Sequence, residues 1–287
     1  MKDLEKTIEK DDAIEALIKR AFEEDVRSGD ITTNSVVDED YKAEAIWVAK
    51  EEGIIAGVDI ARRVFEKLDS DILWSPHVSD GENVSEKTKL VTIKGNARAM
   101  LTAERIALNI AQRMSGIATT TRRYIEEIGV LNTKILDTRK TVPGLRLLDK
   151  QAVAAGGGTN HRMGLFDLAM IKDNHIVAAG SIEAAMQRVR KNAPAVRIEV
   201  ETSCLDEVKK ALAAGADIIM LDNMSAAKMK EAVKLINGQA ETEASGNITL
   251  DRVAEVASTG VDFISVGALT HSVTAFDISQ QLQEIYK

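Results

Sequence analysis

The sequence predicts an α/β protein in two parts: an N-terminal α+β domain over residues 1–115 and an incomplete (β/α) barrel over 116–275. Two observations carry this. After residue 132, short apolar runs recur at Ile135–Leu136, Leu168–Ile171, Ile198–Val200, Ile218–Leu221, Glu241–Ala244 and Phe263–Val266. The later runs are separated by helical patterns at 181–193, 205–214, 225–237 and 249–258. That step length, about 20–24 residues, suits a β/α unit with a right-handed parallel crossover. Six or seven such units exceed what a short doubly wound sheet needs. Before residue 115, strand and helix patterns mix without a repeat, as in an α+β domain.

Taken in order, residues 3–24 carry Leu4, Ile8, Ile14, Leu17, Ile18 and Phe22 near helical spacing. EDVRSGDITT (24–33) reads as a loop in which Asp25, Asp30 and Thr32 serve turns and caps. A strand is expected over Ala43–Lys50, a helix over Val58–Leu68, extended chain over 71–84 and a strand over Lys89–Lys94. Ala97 to about Ile128 is the longest helical pattern; Arg105, Asn109 and Arg113 share its polar stripe at four-residue spacing. Ser115–Gly116 is expected to bend or break it. In the barrel, Gly215, Gly238 and Gly260 close three helices, and Ser181, Ser203 and Asn223 offer N-caps. The last stretch, about 276–287, is expected as a helix packing back on the N-terminal domain.

Bulk properties narrow the function. Lys plus Arg number 37 against 45 Asp plus Glu, a net charge of -8, which argues against nucleic acid as a partner. A single cysteine, Cys204, excludes an intramolecular disulfide and a cysteine-cluster metal site. No run approaches the ~18–20 apolar residues of a membrane span, and MKDLEKTIEKDD lacks a signal-peptide apolar region. The protein is expected to be soluble and cytoplasmic.

Within this acidic chain, Leu136–His175 concentrates Arg139, Lys140, Arg146, Lys150, Arg162 and Lys172 with His161 and His175 around a Gly156–Gly157–Gly158 turn. Barrel active sites lie at the C-terminal ends of the strands. There the apolar runs end in Arg139, Lys172, Glu201, Asp222, Ser245 and Gly267. Period two puts Glu199 with Glu201 on one face and Met220 with Asp222 on another. Cations on the first strands suit a small dianion, each charge-assisted hydrogen bond contributing about 1.5–3 kcal/mol. Carboxylates on the middle strands suit Mg²⁺ held through water, or a developing positive charge. Ser245–Gly246–Asn247 and Val266–Gly267–Ala268 are small-residue turns suited to phosphate, with His271 close behind. The residues alone leave other chemistries open: a Schiff-base lysine at Lys140 or Lys172, and an anion-binding protein without turnover.

LDTRKTVPGLR, GGGTNHRMGL, MIKDNHI, EVET with ADIIMLDNM, EASGNITL and GVDFISVGALTHS together resemble the quinolinate phosphoribosyltransferases. EEDVRSGDITT and AERIALNIAQRMSGIATTT match the N-terminal portion of that family, so the resemblance spans nearly the whole chain in order. It implies a type II phosphoribosyltransferase: an N-terminal α/β sandwich followed by an incomplete barrel, with active sites shared across a homodimer. Whether dimers assemble further, to a hexamer, is left open. The implied pentosyl transfer joins quinolinate to 5-phosphoribosyl 1-pyrophosphate with Mg²⁺, releasing pyrophosphate and carbon dioxide and yielding nicotinate mononucleotide for de novo NAD biosynthesis. Residue by residue, Thr138, Arg139, Lys140, His161, Arg162 and Lys172 would bind quinolinate, and Arg105 would enter the neighbouring subunit's site. Glu201 and Asp222 would face the ribose, and Lys140 or Arg139 would face the ring carbanion. Ser245, Gly246, Asn247, Val266, Gly267, Ala268 and His271 would hold phosphate. A related protein of molybdenum-transport loci shares these features with another substrate.

Overall fold

The computed structural model describes residues 2–287, and the side-chain surroundings of residues 11–287. In chain order its elements are α1 (Lys2–Asp25), α2 (Ile31–Val36), β1 (Lys42–Ala49), β2 (Gly53–Ile54), α3 (Val58–Glu66), β3 (Leu73–Pro76), β4 (Asn83–Val84), β5 (Lys89–Asn96) and α4 (Ala97–Ile128). There follow β6 (Lys134–Leu136), α5 (Arg146–Ala155), β7 (Ala169–Ile171), α6 (Asp173–Ala179), α7 (Ile182–Asn192), β8 (Ile198–Thr202) and α8 (Leu205–Ala213). The chain ends with β9 (Ile218–Asp222), α9 (Ala226–Ile236), β10 (Glu241–Ser245), α10 (Val253–Ala257), β11 (Phe263–Ser265), α11 (Ala268–His271) and β12 (Ile278–Tyr286). Two compact units form. The first joins the chain up to Thr120 with Pro143–Gly156 and Val273–Lys287; the second joins Thr121–Val142 with Gly157–Ser272.

The first unit is built on the antiparallel sheet β12-β1-β5-β3. Ala43, Ala45 and Trp47 alternate inward along β1, and Trp47 meets Phe65 and Trp74 edge-on, with centroids 6.1 and 5.4 Å away. The C-terminal stretch corrects the sequence expectation: 278–286 is a strand, not a helix. Ile278, Leu282 and Ile285 have helix-compatible spacing, but the open edge of β1 offers a ladder, paired from Lys42↔Tyr286 to Ala49↔Ile278 around one bulge. Trp47 Nε1 also donates to Gln280 Oε1 at 2.9 Å, which fixes that register. Ser115–Gly116 does not interrupt α4 either. Ser115 Oγ accepts the Ala56 N–H at 3.0 Å, and a Cβ at Gly116 would stand 2.0 Å from the Thr274 carbonyl oxygen. Both residues permit close packing instead of a break. Asp30 caps α2 through the Thr33 N–H at 2.9 Å, so the expected 24–33 loop contains a helix start.

In the second unit, six parallel strands run in the order β6-β11-β10-β9-β8-β7. Strand β6 pairs with β11, and toward β7 only an isolated bridge, Leu136↔Thr159, is made. The ring is therefore incomplete at that point, and the chain after Gly157 fills the place beside β6. Aspartates hold the lower ends of neighbouring strands together. Asp217 accepts the Ile198 N–H at 2.7 Å, and Asp262 accepts the Thr242 N–H at 2.8 Å. Two expected caps fall one or two residues off: Cys204 and Ser225 hold the N-cap positions of α8 and α9, and Ser203 binds Glu207 instead. Asn223 takes a left-handed conformation, φ 52°. Ser245–Gly246–Asn247 opens a turn ahead of α10 and does not lead straight into a helix.

Candidate active site

Because side chains alternate along each strand, the inward face carries Met170 on β7, Glu199 and Glu201 on β8, Met220 and Asp222 on β9, Glu243 and Ser245 on β10, and Ser265 on β11. At the C-terminal ends of these strands lies a cavity of about 480 Å³. Thr138, Arg139, Lys140, His161, Arg162, Lys172, Glu201, Asp222, Ser245, Gly246 and Asn247 all line it, so these sequence-predicted residues are brought together. Met170, Met220, Asn223, Glu243 and Ser265 line it as well; of these the sequence put Met220 on the face of Asp222 and offered Asn223 as a helix cap, and it singled out none of the other three. For Glu243 the signal was the alternation of ETEAS, which puts it on the same face as Ser245.

The cations come from loops fixed by short polar contacts. Asp137 at the end of β6 is buried and accepts the His161 N–H at 2.8 Å. The Thr138 hydroxyl accepts the Lys140 N–H at 3.0 Å, and Thr270 Oγ1 donates to the Lys140 carbonyl at 2.9 Å. Arg162 Nη1 donates to the Leu168 carbonyl at 3.0 Å. Burial, and then the neighbouring Arg139, hold the Arg162 guanidinium below its ordinary pKa. Two guanidiniums crowded together in this way favour an anionic ligand between or above them. Lys172 is ion-paired with Glu201, cation beside carboxylate on one rim.

His161 turns inward. Its Nδ1 accepts the Arg162 backbone N–H at 2.7 Å, and its Nε2 lies 3.1 Å from Glu199 and 3.2 Å from Glu243. Burial opposes charge on the ring, but the two carboxylates outweigh it and push His161 up to about 10. Burial, and then Glu243, push Glu199 up to about 7. The cluster thus retains a proton at neutral pH that the same groups would lose in water.

Opposite stands Asp222, whose Oδ2 accepts from Asn223 Nδ2 at 2.7 Å, while Asn223 Oδ1 accepts from Asn247 Nδ2 at 3.1 Å. Gly246, φ 93°, allows this approach, for a Cβ there would lie 2.2 Å from Asn223 Oδ1. Other expected residues are not among those that line this cavity, although Gly267 lies against Lys140: a Cβ there would stand 3.2 Å from Lys140 Cδ and 3.0 Å from His271 Cδ2. The Val266 N–H, expected as a phosphate donor, is taken by the Leu136 carbonyl at 2.9 Å, and its side chain is buried. Gly267 caps the short α11, Ala268 begins it, and His271 Nδ1 contacts Ser272 Oγ at 2.7 Å. Arg105 belongs to the first unit, where it lines a groove of about 500 Å³ with Asn109 and Arg113 and its side chain is 61% exposed.

Residues 30–115 match the family model of the quinolinate phosphoribosyl transferase N-terminal domain, and residues 117–281 match that of the C-terminal domain. The chain is 46% identical over 273 residues to a probable nicotinate-nucleotide pyrophosphorylase [carboxylating] of Synechocystis, covering 94% of this chain and 92% of that protein. It is 45% identical over 270 residues to its counterpart of the same name in Bacillus subtilis, at 94% and 93% coverage. Among solved structures, NadC from Streptococcus pyogenes superposes with a TM-score of 0.91 at 40% identity, covering 95% of this chain and 96% of that one. Both domain models in order, together with relatives of this likeness along almost the full length, mean that the chain belongs to the quinolinate phosphoribosyltransferase family.

Proposed function

We propose that this chain transfers the phosphoribosyl group of 5-phosphoribosyl 1-pyrophosphate to quinolinate with decarboxylation, giving nicotinate mononucleotide, pyrophosphate and carbon dioxide. One observation carries the reading: crowded Arg139 and Arg162 share a cavity with Glu201 and Asp222. A two-headed acid meets the cations, and an electron-poor sugar meets the carboxylates.

Arg139, Arg162 and Lys172, with Thr138, hold the quinolinate carboxylates and so aim the ring nitrogen at the anomeric carbon. The nitrogen lone pair forms the new C–N bond as the C–O bond to pyrophosphate breaks. Positive charge then develops on the sugar, where Glu201 and Asp222 stabilise it. Ser245, Gly246, Asn247, Gly267, Ala268 and His271 belong to the turns offered to phosphate. The resulting pyridinium draws electrons from the 2-carboxylate, whose C–C bond breaks, and Lys140 or Arg139 faces the transient negative charge. The donor set here is two part-exposed carboxylates and Asn223, too few for an all-protein Mg²⁺ cage but suited to Mg²⁺ that keeps its waters. Mg²⁺ bound with the pyrophosphate would neutralise charge on the leaving group.

A homodimer in which Arg105 enters the partner's site belongs to the same proposal, supported by the exposure of that guanidinium along a groove. So does a cytoplasmic location, with which a single exposed cysteine agrees; no described helix is long and apolar enough to cross a membrane. The deciding assay supplies quinolinate labelled in its 2-carboxylate, phosphoribosyl pyrophosphate and Mg²⁺. Labelled carbon dioxide and pyrophosphate in equal amounts are expected. Pyrophosphate without carbon dioxide, or neither, would replace this substrate with another.

A further inference from the structure

His175 has no part in the binding and transfer steps above, although the sequence sets it close behind Lys172 in the stretch that gathers the cations. In the fold its ring faces the backbone of that lysine. Lys172 holds the N-cap position of α6, and its N–H donates to His175 Nδ1 at 3.0 Å. The Lys172 carbonyl accepts from the N–H groups of His175 and Ile176, at 2.9 and 3.0 Å. Both backbone polar groups of Lys172 are therefore bound by the first turn of α6, and His175 takes part in each. At this position of a helix, Glu or Gln commonly reaches back to the N-cap N–H with a side-chain oxygen. Here an imidazole nitrogen does so.

The contact matters because packing does little to fix Lys172. Strand β7, which delivers it, is three residues long and stands at the end of the six-stranded sheet, hydrogen-bonded to β8 on one side. Of its residues only Ile171 is buried, and α6, which follows, buries none of its seven. The angle at which Lys172 leaves the strand is thus set by hydrogen bonds at the start of α6. From there its part-exposed side chain reaches Glu201 on the cavity rim. A lysine ammonium rides on a flexible four-carbon stem, so holding it over a ligand depends on a fixed backbone beneath it.

We propose that His175 is a positioning residue for Lys172: by accepting the Lys172 N–H, it sets the direction in which the ammonium enters the cavity. The inference rests on the reaction proposed above, in which Lys172 grips a quinolinate carboxylate. Without the imidazole, the Lys172 N–H turns to water and the first turn of α6 loosens. The ammonium then spends more of its time in solvent or on Glu201 and less over the ligand. The loss falls on quinolinate, because the sugar side of the cavity has its own contacts among Asp222, Asn223 and Asn247 on other strands and turns. His175 itself is not among the residues that line the cavity, so it acts through Lys172 alone.

Steady-state kinetics on the full-length protein with quinolinate, phosphoribosyl pyrophosphate and Mg²⁺ test this. His175→Ala should raise the quinolinate KM about three- to tenfold, the worth of one neutral hydrogen bond, and move the phosphoribosyl pyrophosphate KM by less than about twofold. His175→Gln, whose side-chain oxygen reaches the same N–H, should bring the quinolinate KM back to within about twofold of the unaltered protein. The decisive arm repeats His175→Ala on a Lys172→Ala background. There the further change should be less than about twofold, because the side chain it positions is gone. If His175→Ala does not fold, His175→Leu, which also lacks an acceptor, takes its place with the same expectations. KM rising equally for both substrates, no recovery with glutamine, or an undiminished loss on the Lys172→Ala background would overturn the assignment. Failure of the unaltered protein to turn over quinolinate is a different result: it would overturn the transfer reaction, and this assignment with it.

Discussion

The two units carry cavities of almost the same size, about 500 Å³ along α4 and about 480 Å³ at the strand ends, and the two have opposite characters. The groove along α4 is walled by Leu17, Ile106, Ile110, Met114, Leu145 and Leu148, and one of its three arginines, Arg113, is spent within the fold. Arg113 Nε and Nη2 each donate to a carboxylate oxygen of Asp149 at 2.9 Å, and Asp149 is 0% exposed. In the strand-end cavity, by contrast, Arg139 and Arg162 crowd each other, and the buried carboxylates beneath are taken up by His161. Arg113 is thus neutralised inside the fold by its own carboxylate, whereas burial and the neighbouring Arg139 hold the Arg162 guanidinium below its ordinary pKa. Cavity size does not separate the two; the sign of the neighbours does.

The sharpest way to break this contrast is Arg113→Ala. It leaves Asp149 buried and uncompensated, and the expected cost is about 3–5 kcal/mol of stability, read as a lower denaturant midpoint. A variant as stable as the parent would mean that Arg113 is not spent within the fold. At the strand ends the expectation reverses. Lys172→Ala should leave the denaturant midpoint nearly unchanged while weakening quinolinate binding about 10- to 100-fold, the worth of one charge-assisted hydrogen bond. Phosphoribosyl pyrophosphate binding should change far less in calorimetry; equal losses for both ligands would move Lys172 to the sugar side.

Arg105 sharpens the comparison from within the groove, since it shares the α4 stripe with Arg113 but is mostly exposed. Arg105→Ala should lower quinolinate turnover about tenfold with unchanged stability. Mixed with Lys172→Ala protein, it should recover about a quarter of full activity, because half of exchanged dimers keep one intact site. No recovery on mixing would exclude a site completed by the partner.

How far the sequence could be read follows from which contacts are local. Lys172, Glu201 and Asp222 were legible because an apolar run ending in charge and a period of two are properties of a few consecutive residues. The same pattern holds Glu243, but ETEAS is too polar to register as a strong strand, so its inward face escaped notice. His161 was legible as a residue and not as a geometry. Its inward turn depends on the Leu136↔Thr159 bridge and on Asp137, contacts made across 23 and 24 residues. The C-terminal strand was misread for the same reason: the spacing of Ile278, Leu282 and Ile285 is local, whereas the edge of β1 that captures it lies 229 to 244 residues upstream.

The smallest expected effect tests the finest part of the contrast, whether the carboxylate side of the strand-end cavity needs its own support. Asn223 sits at φ 52°, donates to Asp222 and accepts from Asn247. Asn223→Gly keeps a residue that tolerates that backbone and removes both side-chain contacts. Neutral hydrogen bonds of this kind contribute about 0.5–1.5 kcal/mol, so turnover should fall about three- to tenfold with the quinolinate KM unmoved. Asn223→Ala adds the left-handed backbone penalty of roughly 1–2 kcal/mol and should lose stability as well as turnover. The pair separates two roles of one residue: a loss shared by both variants belongs to the side chain that steadies Asp222, and a loss confined to alanine belongs to the turn that brings Gly246 and Asn247 beside it. If the glycine variant turns over like the parent, Asp222 is held by its strand alone, and the carboxylate side needs less support than the cation side opposite.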